Sequence, residues 1–394
     1  MEYNFIAGGI CAPKGFAAAG VHCGIRKNHS KLDLALIKAD VRCTAAGVFT
    51  TNKVCGAPIK VDRAHLTDGY AQAILVNSGN ANTCAANGVA LAEECCQLVG
   101  QALGVSPEDV LPASTGVIGQ PMVIDPFAAG IPAAAEKLAA TPAGSWDAAT
   151  AIMTTDTHQK EYAVQFQLGG KTCTLGAIGK GSGMIAPNMA TMLAFYTTDA
   201  AVSPAMLQKA LRQVVPGTYN QMSVDLDTST NDTLLILASG LAGNPVIEAE
   251  GQDYDAFVAA LTAIAEKMCA AHAGDGEGAT HLITCEVTGA PDLKTARAVS
   301  RSVVCSNLFK AAVFGRDANW GRILCAIGYT PGDFSSTRSV SVCPARRARS
   351  TSARTPPIIL TARRRLPRFW PSTISSLRWT WAWARPAPKP GAVT

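Results

Sequence analysis

Between residues 335 and 394 the sequence has no aspartate or glutamate, yet this stretch carries twelve Lys and Arg and four of the six Trp, at Trp370, Trp379, Trp381 and Trp383. The first 334 residues show the opposite bias, 22 Lys and Arg against 29 Asp and Glu. A basic, Trp-bearing tail ordinarily reads as an arm for nucleic acid or a membrane. The mildly acidic body gives no such footprint. Its 13 Cys are scattered without a Cys-x-x-Cys, the only close pair being Cys95-Cys96. They read as reduced, mostly buried thiols rather than as a disulfide framework. Six His without ligand spacing argue against a structural or catalytic metal. Met1-Glu2-Tyr3-Asn4 lacks the basic start and apolar run of a secretory signal, and no stretch reads as long enough to span a bilayer. A cytoplasmic location is therefore the expectation, in which the sequons Asn28-His29-Ser30 and Asn231-Asp232-Thr233 have no use. Gly179-Lys180-Gly181-Ser182 has the wrong glycine spacing for a phosphate loop.

What is present is an alternation of apolar runs and amphipathic stretches over about 334 residues, enough for one large or two medium domains. Residues 73–77 read as a buried strand leading into a Gly/Asn turn. Residues 85–103 read as a helix stopped by Gly104. A strand from residue 109 leads to a turn at Ser114-Thr115-Gly116, and residues 128–140 form a helix of small side chains. Residues 162–177 alternate around Gly169-Gly170 as a β-hairpin. Helices follow at 203–215 and 254–271, the second with a stripe of Phe257, Leu261, Ile264 and Met268. Residues 233–237 are another buried strand. This mixture predicts the α/β class, a layered fold without a strict βαβ rhythm.

The most telling segment runs Gly179-Lys180-Gly181-Ser182-Gly183-Met184-Ile185-Ala186-Pro187-Asn188-Met189-Ala190-Thr191-Met192-Leu193. A loop of small residues ends at Thr191, which opens the strand-like Met192-Leu193-Ala194-Phe195-Tyr196. Such a loop also serves as a plain turn. It equally suits a chain that cuts itself between Ala190 and Thr191. A Thr hydroxyl is a weak nucleophile until a base takes its proton, and an N-terminal Thr carries that base as its own α-amine. The α-amine titrates near pH ~8, so an appreciable part is unprotonated at neutral pH. In the cut itself the Thr191 hydroxyl attacks the Ala190 carbonyl, the amide becomes an ester, and water hydrolyses it.

The segment resembles the self-cleavage site of the bifunctional ornithine acetyltransferase / N-acetylglutamate synthase family of arginine biosynthesis. Further blocks resemble that family in the same order. Before the cut they are Ala12-Pro13-Lys14-Gly15-Phe16, Val76-Asn77-Ser78-Gly79-Asn80-Ala81-Asn82, Ser114-Thr115-Gly116-Val117-Ile118-Gly119 and Met153-Thr154-Thr155-Asp156-Thr157. After it come Ser223-Val224-Asp225, Asp227-Thr228-Ser229-Thr230-Asn231-Asp232-Thr233 and Gly315-Arg316-Asp317-Ala318-Asn319-Trp320-Gly321-Arg322. The resemblance implies an α+β layered sandwich of the ornithine acetyltransferase / DmpA-like type, with the nucleophile at the head of a central strand. It divides the chain into an α piece, 1–190, and a β piece, 191–334.

The implied reaction is acetyl transfer from N-acetylornithine to glutamate through an acetyl-threonine ester on Thr191. Acetyl-CoA is implied as a further acetyl source, and no bound cofactor. Thr115 and Gly116 match the oxyanion pair. Thr154, Lys180, Thr191 and Glu277 match substrate-binding positions, with Lys180 for the carboxylate and Glu277 for the ornithine side-chain amine. Thr155 and Thr157 stay open beside Thr154. By itself Lys180 also reads as a solvated loop lysine, and Gly274-Asp275-Gly276-Glu277-Gly278 as a helix-ending polar loop. The implied assembly is a heterotetramer of two α and two β pieces, with small-molecule substrates and neither nucleic acid nor membrane as partner. Two other readings stay open: an N-terminal-nucleophile amidohydrolase or aminopeptidase in which water resolves the acyl-enzyme, and an inactive product of a damaged C-terminus.

That damage can be reconstructed from the genetic code. Codons exist for Thr380 to Thr394 that, shifted by one base, read Asp-Leu-Gly-Met-Gly-Glu-Ala-Ser-Ala-Lys-Ala-Trp-Gly-Cys-Asp, which resembles the family's C-terminal motif. Ser336 to Pro344 likewise yields Val-Asp-Lys-Val-Ser-Val-Ser-Met-Pro. Residues 335–394 thus read as an out-of-frame tail that says nothing about partners and lacks the family's C-terminal Asn and Ser/Thr substrate contacts. A second departure is Leu226, where the family pattern has Gly.

Overall fold

The computed structural model describes residues 2–185, 192–288 and 290–334, and beyond them the backbone of three strands. The chain forms two compact units, one of residues 1–220 and 225–277, the other of 221–224 and 278–394.

In the first unit nine strands make one sheet: β1 (Tyr3–Ile6), β2 (Phe16–Val21), β3 (Leu34–Phe49), β4 (Tyr70–Asn80), β5 (Val110–Val117), β6 (Lys160–Leu168), β7 (Lys171–Lys180), β8 (Leu193–Thr198) and β9 (Thr233–Ala238). Their order is β1-β6-β7-β8-β9-β3-β4-β5, with β2 also on β3. Two neighbouring pairs are parallel, β8 with β9 and β4 with β5. The helices are α1 (Ala57–His65), α2 (Gly88–Leu103), α3 (Asp125–Glu136), α4 (Pro142–Ala151), α5 (Pro204–Val214) and α6 (Gln252–Gly274).

The apolar strands are covered on both sides, which is why they read as continuous runs rather than as alternation. On β3 and β4, Ala35, Ile37, Ile74 and Val76 face a core shared with α4, while Leu34, Leu36, Ala73 and Leu75 face Leu91, Cys95, Val99 and Phe127 of α2 and α3. The α6 stripe of Phe257, Leu261, Ile264 and Met268 is fully buried, with Phe257 and Phe166 of β6 6.2 Å apart between ring centroids. By length and composition alone α6 could cross a bilayer, contrary to the sequence expectation; half of its apolar window is instead buried within the protein. Helix α4 seats on β2 so closely that a Cβ on Gly20 would lie 2.2 Å from the Asp147 carbonyl oxygen. Only glycine permits that approach.

Most expected elements are present. The hairpin turns at Gly169 and Gly170, at φ 52° and 76°, as two-residue loops of this kind require. Gly104 stops α2 at φ 69°. Two expected turns are strand instead. β4 continues to Asn80, and Ser114-Thr115-Gly116 lies inside β5. Side chains make this extension affordable: Ser114 Oγ donates to Asn77 Oδ1 at 2.6 Å, and Asn77 Nδ2 donates to the Asn80 carbonyl at 2.8 Å.

In the second unit β10 (His281–Thr288) turns Ile283, Cys285 and Val287 toward a core of Val299, Val303, Phe309, Val313, Ile323, Ala326 and Ile327. These come from α7 (Leu293–Val304), α8 (Asn307–Phe314) and α9 (Gly321–Gly328). Past residue 334 the backbone contributes β11 (Val342–Pro344), β12 (Pro357–Ile358) and β13 (Ser376–Trp383), with β13 antiparallel to β10 over its whole length.

Candidate active site

Three strand ends converge on the segment that the sequence singled out. β7 ends at Lys180, paired with Leu193 at the start of β8, and Leu193 pairs with Thr233 at the start of β9. β8 is the fourth of the eight strands along the main path of the sheet, the central position that the resemblance implies. Ala190 and Thr191 lie outside the described residues, but the next position is firmly set. The Met192 amide donates to Asp232 Oδ1 at 3.0 Å, and the Met192 carbonyl accepts from the Thr233 amide at 3.2 Å.

Thr115 and Gly116 stand at the far end of β5. Thr115 is almost buried, and its Oγ1 accepts a hydrogen bond from Lys180 Nζ at 3.1 Å. Gly116 has φ 132°, and a Cβ there would fall 2.3 Å from the carbonyl carbon of Gly79 on β4. No other residue fits that position. Asn231 braces the pair: its Nδ2 donates to the carbonyls of Ser114 (3.0 Å) and Ala81 (2.6 Å), while Thr83 Oγ1 donates to its Oδ1 (2.7 Å).

Lys180 is therefore not a solvated loop lysine. It ends a strand, 3 % exposed, and its ammonium lies against the Thr115 hydroxyl. Burial pushes its pKa down and the carboxylates of Asp156 and Asp232 oppose this, while Lys160 and Arg26 push it further down. Burial likewise raises Asp232 well above the carboxylate range, against the pull of the Met192 amide and Lys180.

A buried ionic network ties the remaining candidates to this point. Lys160 Nζ bonds Asp156 (2.7 Å) and Asp275 (2.5 Å), and Asp156 also accepts from the amides of Gly181 (2.7 Å) and Thr154 (3.0 Å). Burial alone would raise Asp156, but Lys180 and Lys160 prevail and hold it well below the usual carboxylate range. Ser182 Oγ donates to the Asp275 carbonyl at 2.6 Å, and the Glu277 amide to the Ser182 carbonyl at 3.1 Å. A Cβ on Gly183 would come 2.4 Å from Glu277 Oε1, so this exposed carboxylate lies directly on the loop after Lys180.

Thr154, Lys180 and Glu277 are thereby brought to one loop, beside Thr115 and Gly116. Of the two alternatives to Thr154, Thr157 spends its amide and hydroxyl on Asp275, and Thr155 is exposed. Asp156 and Asp232 lie within blocks that resemble the family, and Asp275 lies two residues before Glu277, but the sequence pattern marks none of the three for this network. Lys160 carried no signal at all. Among the described residues no cluster of His, Cys, Asp or Glu could hold a metal ion.

Comparison with known proteins places the chain as a whole. The model of the ArgJ family matches residues 17–354. The arginine biosynthesis bifunctional protein ArgJ of Symbiobacterium thermophilum is 51 % identical over 337 residues, 85 % of this chain and 83 % of that one. Its counterpart in Caldanaerobacter subterraneus is 47 % identical over 332 residues, 84 % and 81 % of the two chains. Among solved structures, the ornithine acetyltransferase of Mycobacterium tuberculosis complexed with ornithine is 34 % identical, covering 47 % of this chain and 98 % of that one, with a TM-score of 0.44.

Proposed function

We propose a reaction course for a chain that belongs to the ArgJ family and is thereby an acetyltransferase of arginine biosynthesis. The chain cuts itself between Ala190 and Thr191. The freed α-amine of Thr191 takes the hydroxyl proton, and the oxygen attacks the acetyl carbonyl of N-acetylornithine. The tetrahedral oxyanion forms against Thr115 and Gly116, and ornithine leaves with the proton. The acetyl ester then meets glutamate, whose amine attacks the carbonyl. The Thr191 oxygen leaves, recovers a proton from that amine, and N-acetylglutamate departs.

One observation carries this reading: Lys180 Nζ sits 3.1 Å from Thr115 Oγ1, so a cation stands behind the hydroxyl that would meet the oxyanion. With its acceptor role filled by Lys180, the Thr115 hydroxyl is left to donate its own proton forward. A lost oxyanion donor costs on the order of 3 kcal/mol, so Thr115→Val should slow acetyl-enzyme formation by roughly a hundredfold or more. Lys180 also offers N–H groups to the substrate α-carboxylate, Glu277 meets the ornithine side-chain amine, and Thr154 completes the wall.

Acetyl-CoA is a second acetyl donor on this reading. The assembly is two α and two β pieces, and the location is the cytoplasm.

Intact mass spectrometry beside a Thr191→Ala control tests the nucleophile. The expected result is two fragments, 1–190 and a remainder starting at Thr191, for the parent alone. Incubation with N-acetylornithine should then add one acetyl group to the second fragment, removed by glutamate. Loss of the acetyl group to water at the same rate without glutamate would make the protein an amidohydrolase instead.

A further inference from the structure

The reaction course sets an electrostatic problem. Ornithine and glutamate share an α-amino and an α-carboxylate group, but their side chains end in opposite charges. If both pass through one site, a carboxylate suited to the ornithine amine repels the glutamate side chain. Glu277 is such a carboxylate, so the acceptor complex needs a second cation besides Lys180.

Arg26 supplies one. It lies between β2 and β3, in a loop pinned by the buried Asp33, whose carboxylate accepts from the amides of Cys23 (2.7 Å) and Arg26 (2.9 Å). The Arg26 stem runs across Gly79: a Cβ there would lie 2.8 Å from Arg26 Cγ and 3.6 Å from its Nε. Gly79 is the residue flush against Gly116. The guanidinium donates through Nη2 to the Met153 carbonyl, next to Thr154. Its Nε–H is out of solvent and has no acceptor among the described residues. A buried guanidinium donor without an acceptor is costly unless something else accepts from it. Arg26 is also close enough to Lys180 to act on it electrostatically. Asp156, the other carboxylate near Arg26, is already committed to Lys160, Gly181 and Thr154.

Resting on the reaction course above, we propose that Arg26 receives the side-chain carboxylate of glutamate and sets acceptor specificity. In the donor half-reaction it stays on Met153. In the acceptor half-reaction the guanidinium fork meets the carboxylate that Glu277 cannot accommodate.

The test separates the two halves in the full chain, with Arg26→Met and Arg26→Lys. Acetylation of Thr191 by N-acetylornithine, followed by intact mass, reports the donor half. Its discharge by glutamate, and by the uncharged analogue glutamine, reports the acceptor half. Arg26→Met should leave the acetylation rate within about twofold and raise the glutamate concentration for half-maximal discharge at least tenfold. The preference for glutamate over glutamine should fall by a similar factor, and Arg26→Lys should restore part of it. Equal losses in both halves would overturn the proposal, because Arg26 would then hold the shared α-carboxylate or shape the loop. So would an unchanged preference for glutamate. A parent chain that never becomes acetylated on Thr191 would overturn the reaction course itself, and this inference with it.

Discussion

Leu226 holds φ 76°, a conformation that costs an L-residue about 1–2 kcal/mol and glycine almost nothing. It sits in an exposed turn where Asp225 Oδ1 accepts from the Asp227 amide at 3.0 Å, and 42 % of its surface is in solvent. Removing the side chain therefore sacrifices little burial. Leu226→Gly should raise stability by about 0.5–1 kcal/mol after the extra freedom of the unfolded glycine is counted, read as a higher urea midpoint at unchanged slope. A lower midpoint would mean that the leucine is held by packing rather than strained. The sequence exposed this residue because a family pattern has glycine there. The same resemblance marks Lys180 but not its burial, and it does not mark Arg26 at all. A lysine before a glycine loop looks the same whether solvated or buried, and only the pairing of β7 with β8 and the end of β5 decides it. Arg26 acquires meaning from Gly79 and Met153, which are 53 and 127 residues away.

At the scale of elements, α6 shows both the reach and the limit of periodicity. The spacing of Phe257, Leu261, Ile264 and Met268 gave the helix and its buried face correctly. The next residue on that face is His272, also fully buried, with Gly179 of β7 beside its Nε2 and the Tyr219 ring 6.3 Å away. Both ring nitrogens lack partners among the described residues. Burial, with Lys160 and Lys180 adding to it against Asp156, pushes its pKa down to about 3 from an ordinary 6.5. The unfolded chain thus binds a proton that the folded chain refuses between those values. The stability that comes from keeping His272 neutral is complete above pH 6.5 and is lost as pH falls toward 3. His272→Leu should flatten the acid limb of the stability curve in that window, by up to about 1.4 kcal/mol per pH unit. Urea unfolding at a series of pH values checks this, and an unchanged acid limb would place the proton elsewhere. Where elements failed to show in the sequence, the cause is local. β3 carries a polar interruption, Lys38 to Arg42, at its bulge, and α4 is built of residues too small to make a stripe.

For the whole molecule the open question is the tail. The first unit has both faces of its sheet covered, and its site residues lie on β5, β7 and β9 and on the loops beside them. Among the described residues the second unit rests on a cluster of seven buried apolar side chains from three short helices, with β10 packed against them. β10 is amphipathic, with Thr284, Glu286 and Thr288 exposed, so its edges must be finished by further strand. In the written chain that partner is β13, Ser376–Trp383, drawn from residues that read as out of frame. The family match stops at residue 354, forty residues before the chain does. A strand that alternates Trp with Thr, Ala and Arg can satisfy the backbone of β10, since hydrogen bonds there are indifferent to sequence. It has no reason to match the side-chain packing or to bring the C-terminal substrate contacts that the family pattern carries. Restoring the frame after Phe334 should therefore raise the melting temperature by at least about 5 °C, on the order of 2 kcal/mol. It should also lower the N-acetylornithine concentration needed for half-maximal acetylation of Thr191. The proposed cleavage at Ala190-Thr191 falls within the first unit, so it should proceed in both forms, more slowly where folding is impaired. Equal melting temperatures and equal acetylation would mean that the basic tail is a working C-terminus, with β13 its proper strand. Resequencing the coding DNA across Phe334 would then find no shift.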